Sequence, residues 1–189
     1  MNIFSRKSLF KLAFISISLG LIVFGLIAGS QINNNTGDVV ERVSDGDTIV
    51  IVNGQGEKFT VRFACIDAPE IPHSRKEKTS QRIEDVNQFG WGLKAQVRVE
   101  KLVKESGNHI ILNVTDSDRY HRKIAEVRLQ NGTLIQEVLL KEGLAEVYRP
   151  YLSKCPSKDI ILAAEAQAKQ QKRGIWNDPD FIDPWKFRK

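Results

Sequence analysis

Residues 58–70 read KFTVRFACIDAPE. In the first nine, Phe59, Val61, Phe63 and Cys65 alternate with Thr60, Arg62, Ala64 and Ile66. That period of two predicts a half-buried strand over Lys58–Ile66, with Arg62 on the face opposite Phe63. Asp67-Ala-Pro-Glu70 follows, a carboxylate-bearing turn just past the strand's end. A charged residue inside an apolar strand is costly to bury unless paired, and Asp67 and Glu70 are the nearest partners.

Working outward, Val39–Val43 and Thr48–Val52 are β-branched runs separated by the turn signals Asp45-Gly46 and Asn53-Gly54. Residues 71–88 are polar, contain Pro72 and read as an exposed loop. Trp91–Lys104 predicts a helix, with Leu93/Val97 and Val99/Leu102/Val103 at helical spacing. Two further strands are expected at about His109–Thr115 and Arg122–Leu129. Thr133-Leu-Ile-Gln136 has the form of a capping box opening a short helix that stops at Gly143. An alanine-rich helix over about Lys158–Arg173 ends at Gly174. Five strands with about three helices make an α+β chain, and a five-stranded OB-type β-barrel accommodates them.

The apolar (41%) and charged (27%) fractions exclude a disordered chain, and 189 residues suit one domain with appendages. The net charge of +5 is weak support for an anionic partner. Three of those charges, Arg6, Lys7 and Lys11, sit in the acid-free first thirty residues, which leaves +2 for the rest. They precede the apolar run Leu12–Ala28, which reads as a signal peptide or an N-terminal membrane anchor; both readings fit its length. Either one exports the remainder, to be secreted or tethered to the cytoplasmic membrane facing outward. The expected organisation is therefore an export segment over 1–30, a polar linker over 31–37, a folded domain over 38–177 and a tail over 178–189. In an exported chain the two cysteines, Cys65 and Cys155, suggest one disulfide, with two partly buried thiols as the alternative.

Asp47, in the first turn, and Asp67, after the third strand, can meet as oxygen donors for a hard cation such as Ca²⁺. A structural ion pair accounts for Arg62. Phosphodiester hydrolysis accounts for more, because it needs a cation, a carboxylate to position water and a positive group on the developing phosphorane.

In order, SDGDT (44–48), VRFACIDAPE (61–70), SDRYHR (117–122), GLAEVY (143–148) and AEAQAKQQKRGIW (164–176) resemble the staphylococcal nuclease family over Val39–Trp176. The ending Pro184-Trp-Lys-Phe-Arg188 is similar to bacterial exported members. The resemblance implies a nuclease acting on DNA and RNA with little sequence preference and leaving 3′-phosphates. It implies Ca²⁺ held by the Asp47 and Asp67 carboxylates and the Ala68 carbonyl, with Glu70 activating water. Arg62 and Arg122 would clamp the scissile phosphate. Arg119 and Tyr120 would meet a terminal phosphate, and Tyr148 and Tyr151 would lie beside base and sugar. Stacking on tyrosines favours single-stranded substrate, and a monomer is expected. His121 stands where the family pattern has glycine. A catalytically silent OB-fold module binding nucleic acid or an envelope partner is the alternative; the retained Asp47, Arg62, Asp67, Glu70 and Arg122 speak against it.

Overall fold

In chain order the strands and helices are β1 Val39–Val43, β2 Thr48–Val52, β3 Lys58–Phe63, β4 Ile66–Asp67, α1 Arg75–Lys78, α2 Ile83–Glu105, β5 Ile110–Ser117, β6 Lys123–Leu129, α3 Ile135–Glu142, β7 Glu146–Val147, α4 Lys158–Gln170 and α5 Pro184–Phe187. Short 3₁₀ turns occupy Arg149–Lys154 and Gly174–Asn177. They come from a computed structural model that describes residues 37–189. The export segment 1–30 and the linker as far as residue 36 lie outside the described residues.

Strands β1, β2 and β3 form an antiparallel meander that buries Ile49, Ile51, Val61 and Phe63 almost completely. The five-stranded sheet has the order β1-β2-β3-β6-β5. Its one parallel pair, β3 with β6, sets Arg62 opposite Ile124. The two edge strands touch at one end, where Val39 bridges His109 and the Val40 N–H donates to the Asn108 carbonyl at 2.9 Å. Helices α2, α3 and α4 are the three expected long ones; α1 and α5 are single turns.

The third strand is shorter than the alternation predicts. It stops at Phe63 because Cys65 adopts a left-handed backbone (φ 73°), which turns the chain off the main sheet. Ile66 and Asp67 then pair with Val147 and Glu146 in a separate two-stranded ribbon. Cys65 is disulfide-bonded to Cys155, so this turn is tied covalently to the end of the Arg149–Lys154 turn.

Residues 71–88, expected to be an exposed loop, contain α1 and the first turns of α2. A capping box closes the start of α1: Ser74 Oγ accepts from the Glu77 N–H, and the Glu77 carboxylate accepts from the Ser74 N–H. In α2 the buried stripe is Gln88, Phe89, Gly92, Ala95, Val99, Leu102 and Val103. The pair Leu93/Val97 keeps helical spacing but faces solvent, at 45% and 60% exposure. Small and polar residues carry much of the packing face, so hydrophobicity alone misplaces both the helix start and its inner side.

The capping box expected at Thr133–Gln136 does not form. Leu134 is the N-cap, with no side-chain cap bond. Gln136 turns inward, donating to the Ala125 carbonyl (3.0 Å) and accepting the Val127 N–H (3.1 Å). Past Ala125, β6 has outrun β3, and the buried amide supplies the missing ladder partner. Gly143 ends α3 at φ 67°, as its sequence position predicts. Helix α4 stops at Gln170, short of Arg173, and a turn carries the chain into Gly174–Asn177.

Two expectations follow for stability. The disulfide closes a span of 90 residues, so replacing both cysteines by alanine should cost about 2–4 kcal/mol, read from denaturant unfolding. Burial, with Asp183 and Glu165 nearby, pushes the Glu146 carboxyl up to about 8, and its Oε2 has no hydrogen-bond partner among the described residues. The raised value means the fold holds that proton more tightly than the unfolded chain does. Stability is therefore lost as pH rises from the carboxylate range through about 8. Glu146→Gln should raise the melting temperature by several degrees at pH 9 and change it little at pH 4.

Candidate active site

The β2–β3 register pairs Thr48 with Arg62, which puts Arg62 next to Asp47 across the ladder. Asp47 is held from three directions: its Oδ1 accepts from Thr48 Oγ1 (3.0 Å) and Arg62 Nη1 (2.7 Å), and its Oδ2 from the Ala68 N–H (2.9 Å). Arg62 Nη2 donates to Asp67 Oδ1 at 2.5 Å. One guanidinium thus bridges the two carboxylates, which are buried to 3% and 0% exposure, too deep to stay charged without it. Asp47, opposed by burial and helped by Asp67, holds Arg62 more firmly protonated than usual. Burial pushes the Asp67 carboxyl up, against hydrogen bonds and charges from Arg188 and Arg62.

Glu70 lies three residues beyond Asp67, over the flank of α2. The approach is so close there that only glycine fits: a Cβ at Gly92 would stand 1.9 Å from the Glu70 carbonyl oxygen. With its amide oriented to satisfy both neighbours, buried Gln88, one turn earlier, accepts the Glu70 N–H (3.1 Å) and donates to the Ile182 carbonyl (3.0 Å). The Glu70 carboxylate meets Arg188 Nη1.

Arg122 immediately precedes β6, two residues before Ile124, the partner of Arg62. Its Nε donates to Asp118 Oδ2 at 2.7 Å, and Asp118 Oδ1 accepts the backbone N–H groups of Tyr120 and Arg122. Among the described residues no ion pair joins Arg122 to Asp47, Asp67 or Glu70. His121, between them, has φ 63°, the left-handed backbone that glycine adopts without strain. Arg119 Nη2 donates to the exposed Tyr120 hydroxyl (2.6 Å), and the Arg119 and Arg122 guanidinia lie 4.8 and 5.6 Å from the Tyr120 ring centroid. Tyr148 and Tyr151 stack at 5.6 Å, and Tyr148 is also 6.3 Å from Trp185 of α5. The Tyr148 N–H donates to the Cys65 carbonyl, which anchors this pair beside the β3–β4 turn (2.9 Å).

Against known proteins, a family model described as staphylococcal nuclease homologue matches residues 60–178. The chain belongs to the staphylococcal nuclease family. A micrococcal nuclease of Shigella flexneri is 34% identical over 162 residues, covering 81% of this chain and 80% of that protein. Endonuclease YhcR of Bacillus subtilis (strain 168) is 33% identical over 155 residues, 79% of this chain but only 12% of that much longer relative. An uncharacterized endonuclease of Escherichia coli O157:H7 is 28% identical over 149 residues, 79% of this chain and 82% of that protein.

The family's metal dependence can be tested on the donor set. Among the described residues no three His, Cys, Asp or Glu side chains form a metal-holding group. An ion here would draw on the Asp47 and Asp67 carboxylates, the Ala68 carbonyl and water. Those are hard oxygen donors on a buried, paired frame, and they fit a hard divalent cation.

Three contributors carry no local signal in the sequence. Asp45 Oδ1 accepts the Asp47 N–H (2.9 Å), and burial together with the Asp47 charge pushes its carboxyl up to about 7. It looked like an ordinary turn residue. Gln88 lies in the stretch whose composition predicts a loop. Arg188 lies in the expected tail, yet its guanidinium spans Asp67 and Glu70. The clearest test of the frame is Gly92→Ala. The new methyl would push the Pro69–Glu70 backbone away from α2, costing about 1–3 kcal/mol as other overpacked cores do. Any phosphodiesterase activity should fall more steeply than stability accounts for, measured at a temperature where both proteins remain folded.

Proposed function

We propose that this member of the staphylococcal nuclease family is an exported, Ca²⁺-dependent nuclease that hydrolyses DNA and RNA and leaves 3′-phosphates. The observation that carries the reading is the Arg62 bridge between Asp47 and Asp67, with Glu70 three residues away, all at one end of the sheet. It pairs oxygen donors for a cation with a guanidinium for a phosphate and a partly exposed carboxylate for water. The naming of relatives as nucleases supports the same chemistry.

Asp47, Asp67 and the Ala68 carbonyl would hold the ion. Ca²⁺ bound there supplies positive charge to a phosphoryl oxygen and lowers the cost of ionising water. Glu70 orients the attacking water and takes its proton. The water oxygen forms a bond to phosphorus, the bond to the 5′-oxygen breaks, that oxygen takes a proton from solvent water to leave as a hydroxyl, and the phosphate stays on the 3′ side. Charge on the equatorial oxygens falls to Arg62 and Arg122. A guanidinium has five N–H donors, and Arg62 spends two on Asp47 and Asp67, so donors remain for phosphate. Arg122 is delivered by the Asp118-braced turn, with Arg119 and Tyr120 beside it for a terminal phosphate. The stacked Tyr148–Tyr151 pair offers ring faces to unpaired bases, which favours single strands without reading sequence. An OB-type closure of the five-stranded sheet is part of the same proposal, supported by the Val39–His109 bridge.

Export rests on the basic-then-apolar pattern of residues 6–28 and is consistent with the Cys65–Cys155 bond. Whether the segment is removed or retained as a tether is read by comparing the mass of the cell-associated protein with the encoded mass.

Purified protein should cleave single-stranded DNA and RNA with Ca²⁺ and lose the activity in chelator. Ca²⁺ should also raise its melting temperature, because an ion that binds only the folded form stabilises it. Arg62→Ala should lower kcat by roughly 10²-fold or more, the scale of losing one transition-state donor. Full activity in chelator would remove the metal from the mechanism. A folded protein without nuclease activity in any divalent cation would favour the silent binding module.

A further inference from the structure

The C-terminal segment runs back onto the candidate site. From Asp178 onward it is fastened to α2, the helix that backs Glu70. Asp178 accepts from Asn87 Nδ2 (2.8 Å) and Trp91 Nε1 (2.7 Å). The Ile182 carbonyl takes the Gln88 amide that also holds the Glu70 N–H. Phe187 meets Phe89 edge to face at 5.7 Å. Pro184 is buried, and Trp185 leans on Tyr148. These fastenings deliver the next side chain, Arg188, onto the carboxylates.

There the guanidinium engages Asp67 with two nitrogens, Nη1 to Oδ1 at 3.2 Å and Nη2 to Oδ2 at 2.5 Å. Nη1 also bonds Glu70 Oε1. A two-pronged contact fixes direction as well as distance, which a single point charge would not do. Glu70 has no other side-chain partner among the described residues, and its carboxylate is only partly exposed. Burial works against the Arg188 charge, yet the hydrogen bonds and charges of Asp67 and Glu70 hold it more firmly protonated than usual.

We propose that Arg188 is a positioning residue of the catalytic centre, bridging Asp67 and Glu70 so that the water-orienting carboxylate keeps a fixed place relative to the metal-binding one. The inference rests on the nuclease reading above for the roles of those two carboxylates. The contact itself can be tested without it. Arg188 acts through Asp67 and Glu70 and needs no contact with the reacting atoms.

The experiment uses the full chain and the variants Arg188→Ala, Glu70→Ala and the double variant, with two readouts. In chelator, thermal unfolding should show that the two substitutions are not additive, since each removes the same contact. With Ca²⁺ and single-stranded DNA, Arg188→Ala should lower kcat by about 10–100-fold, the usual effect of losing a partner that orients a ligand, with a much smaller change in KM. In the Glu70→Ala background the same substitution should have little further effect on kcat. A purely structural role for the tail would instead lower activity by the same factor in both backgrounds.

Strict additivity of the melting shifts would show that the contact is not made and overturn the proposal. So would an Arg188→Ala enzyme with wild-type kcat. A variant that binds Ca²⁺ more tightly and cleaves faster would make Arg188 a plug competing with the ion, which also overturns it. If the wild-type protein instead cleaves fully in chelator, or Glu70→Ala is as active as wild type, the nuclease reading of the site fails. The melting cycle still reports on the bridge in that event.

Discussion

Two carboxylates, Asp47 and Asp67, lie almost wholly out of water with one guanidinium between them. Such a pair is stable only while the cation stays in register, and much of the surrounding architecture serves that requirement. The β2–β3 ladder brings Arg62 beside Asp47. The left-handed Cys65 turns the chain so that Asp67 faces back toward the same guanidinium. The Ala68 N–H closes the far side of Asp47. Gly46 lets the first turn sit against Ala95 and Ala68, where any side chain would collide. The fold is organised around holding opposite charges where water cannot screen them.

That arrangement also separates two groups among the candidate site's residues. Asp47, Arg62 and Asp67 are locked by backbone register and mutual bonds. Arg119, Tyr120 and Arg122 sit on a turn braced chiefly by Asp118, with exposed side chains at Arg119 and Tyr120. The first set defines a fixed centre. In the second, His121 takes a left-handed backbone (φ 63°) inside the turn that the Asp118 bonds close.

Strands and caps with a local cause were legible in the sequence. The bounds of β1 and β2 followed from β-branched runs between Asp-Gly and Asn-Gly turns, and the end of α3 from Gly143. Asp47, Arg62 and Asp67, singled out by the ordered motifs, do meet in one cluster. What escaped depended on distant partners. Gln136 looked like a capping residue until β6 outran β3 and needed an amide. Leu93 and Val97 have the spacing of a core stripe, but the inner face belongs to Gly92 and Ala95, chosen for close approach rather than apolar area. Nothing within five residues of Arg188 announces a partner, because Asp67 and Glu70 stand 121 and 118 residues earlier.

The parallel pairing of β3 with β6 has a kinetic side. Arg62 and Arg122 flank this one junction, yet about sixty residues of chain, including all of α2, separate them. A parallel pair of that separation forms only after a costly loop closure, so it belongs to the late, global stage of folding. No early hairpin or isolated helix carries both arginines. Bringing Arg62 and Arg122 to one junction is therefore tied to completion of the whole sheet, and a chain that has formed only its local elements still holds the two guanidinia apart.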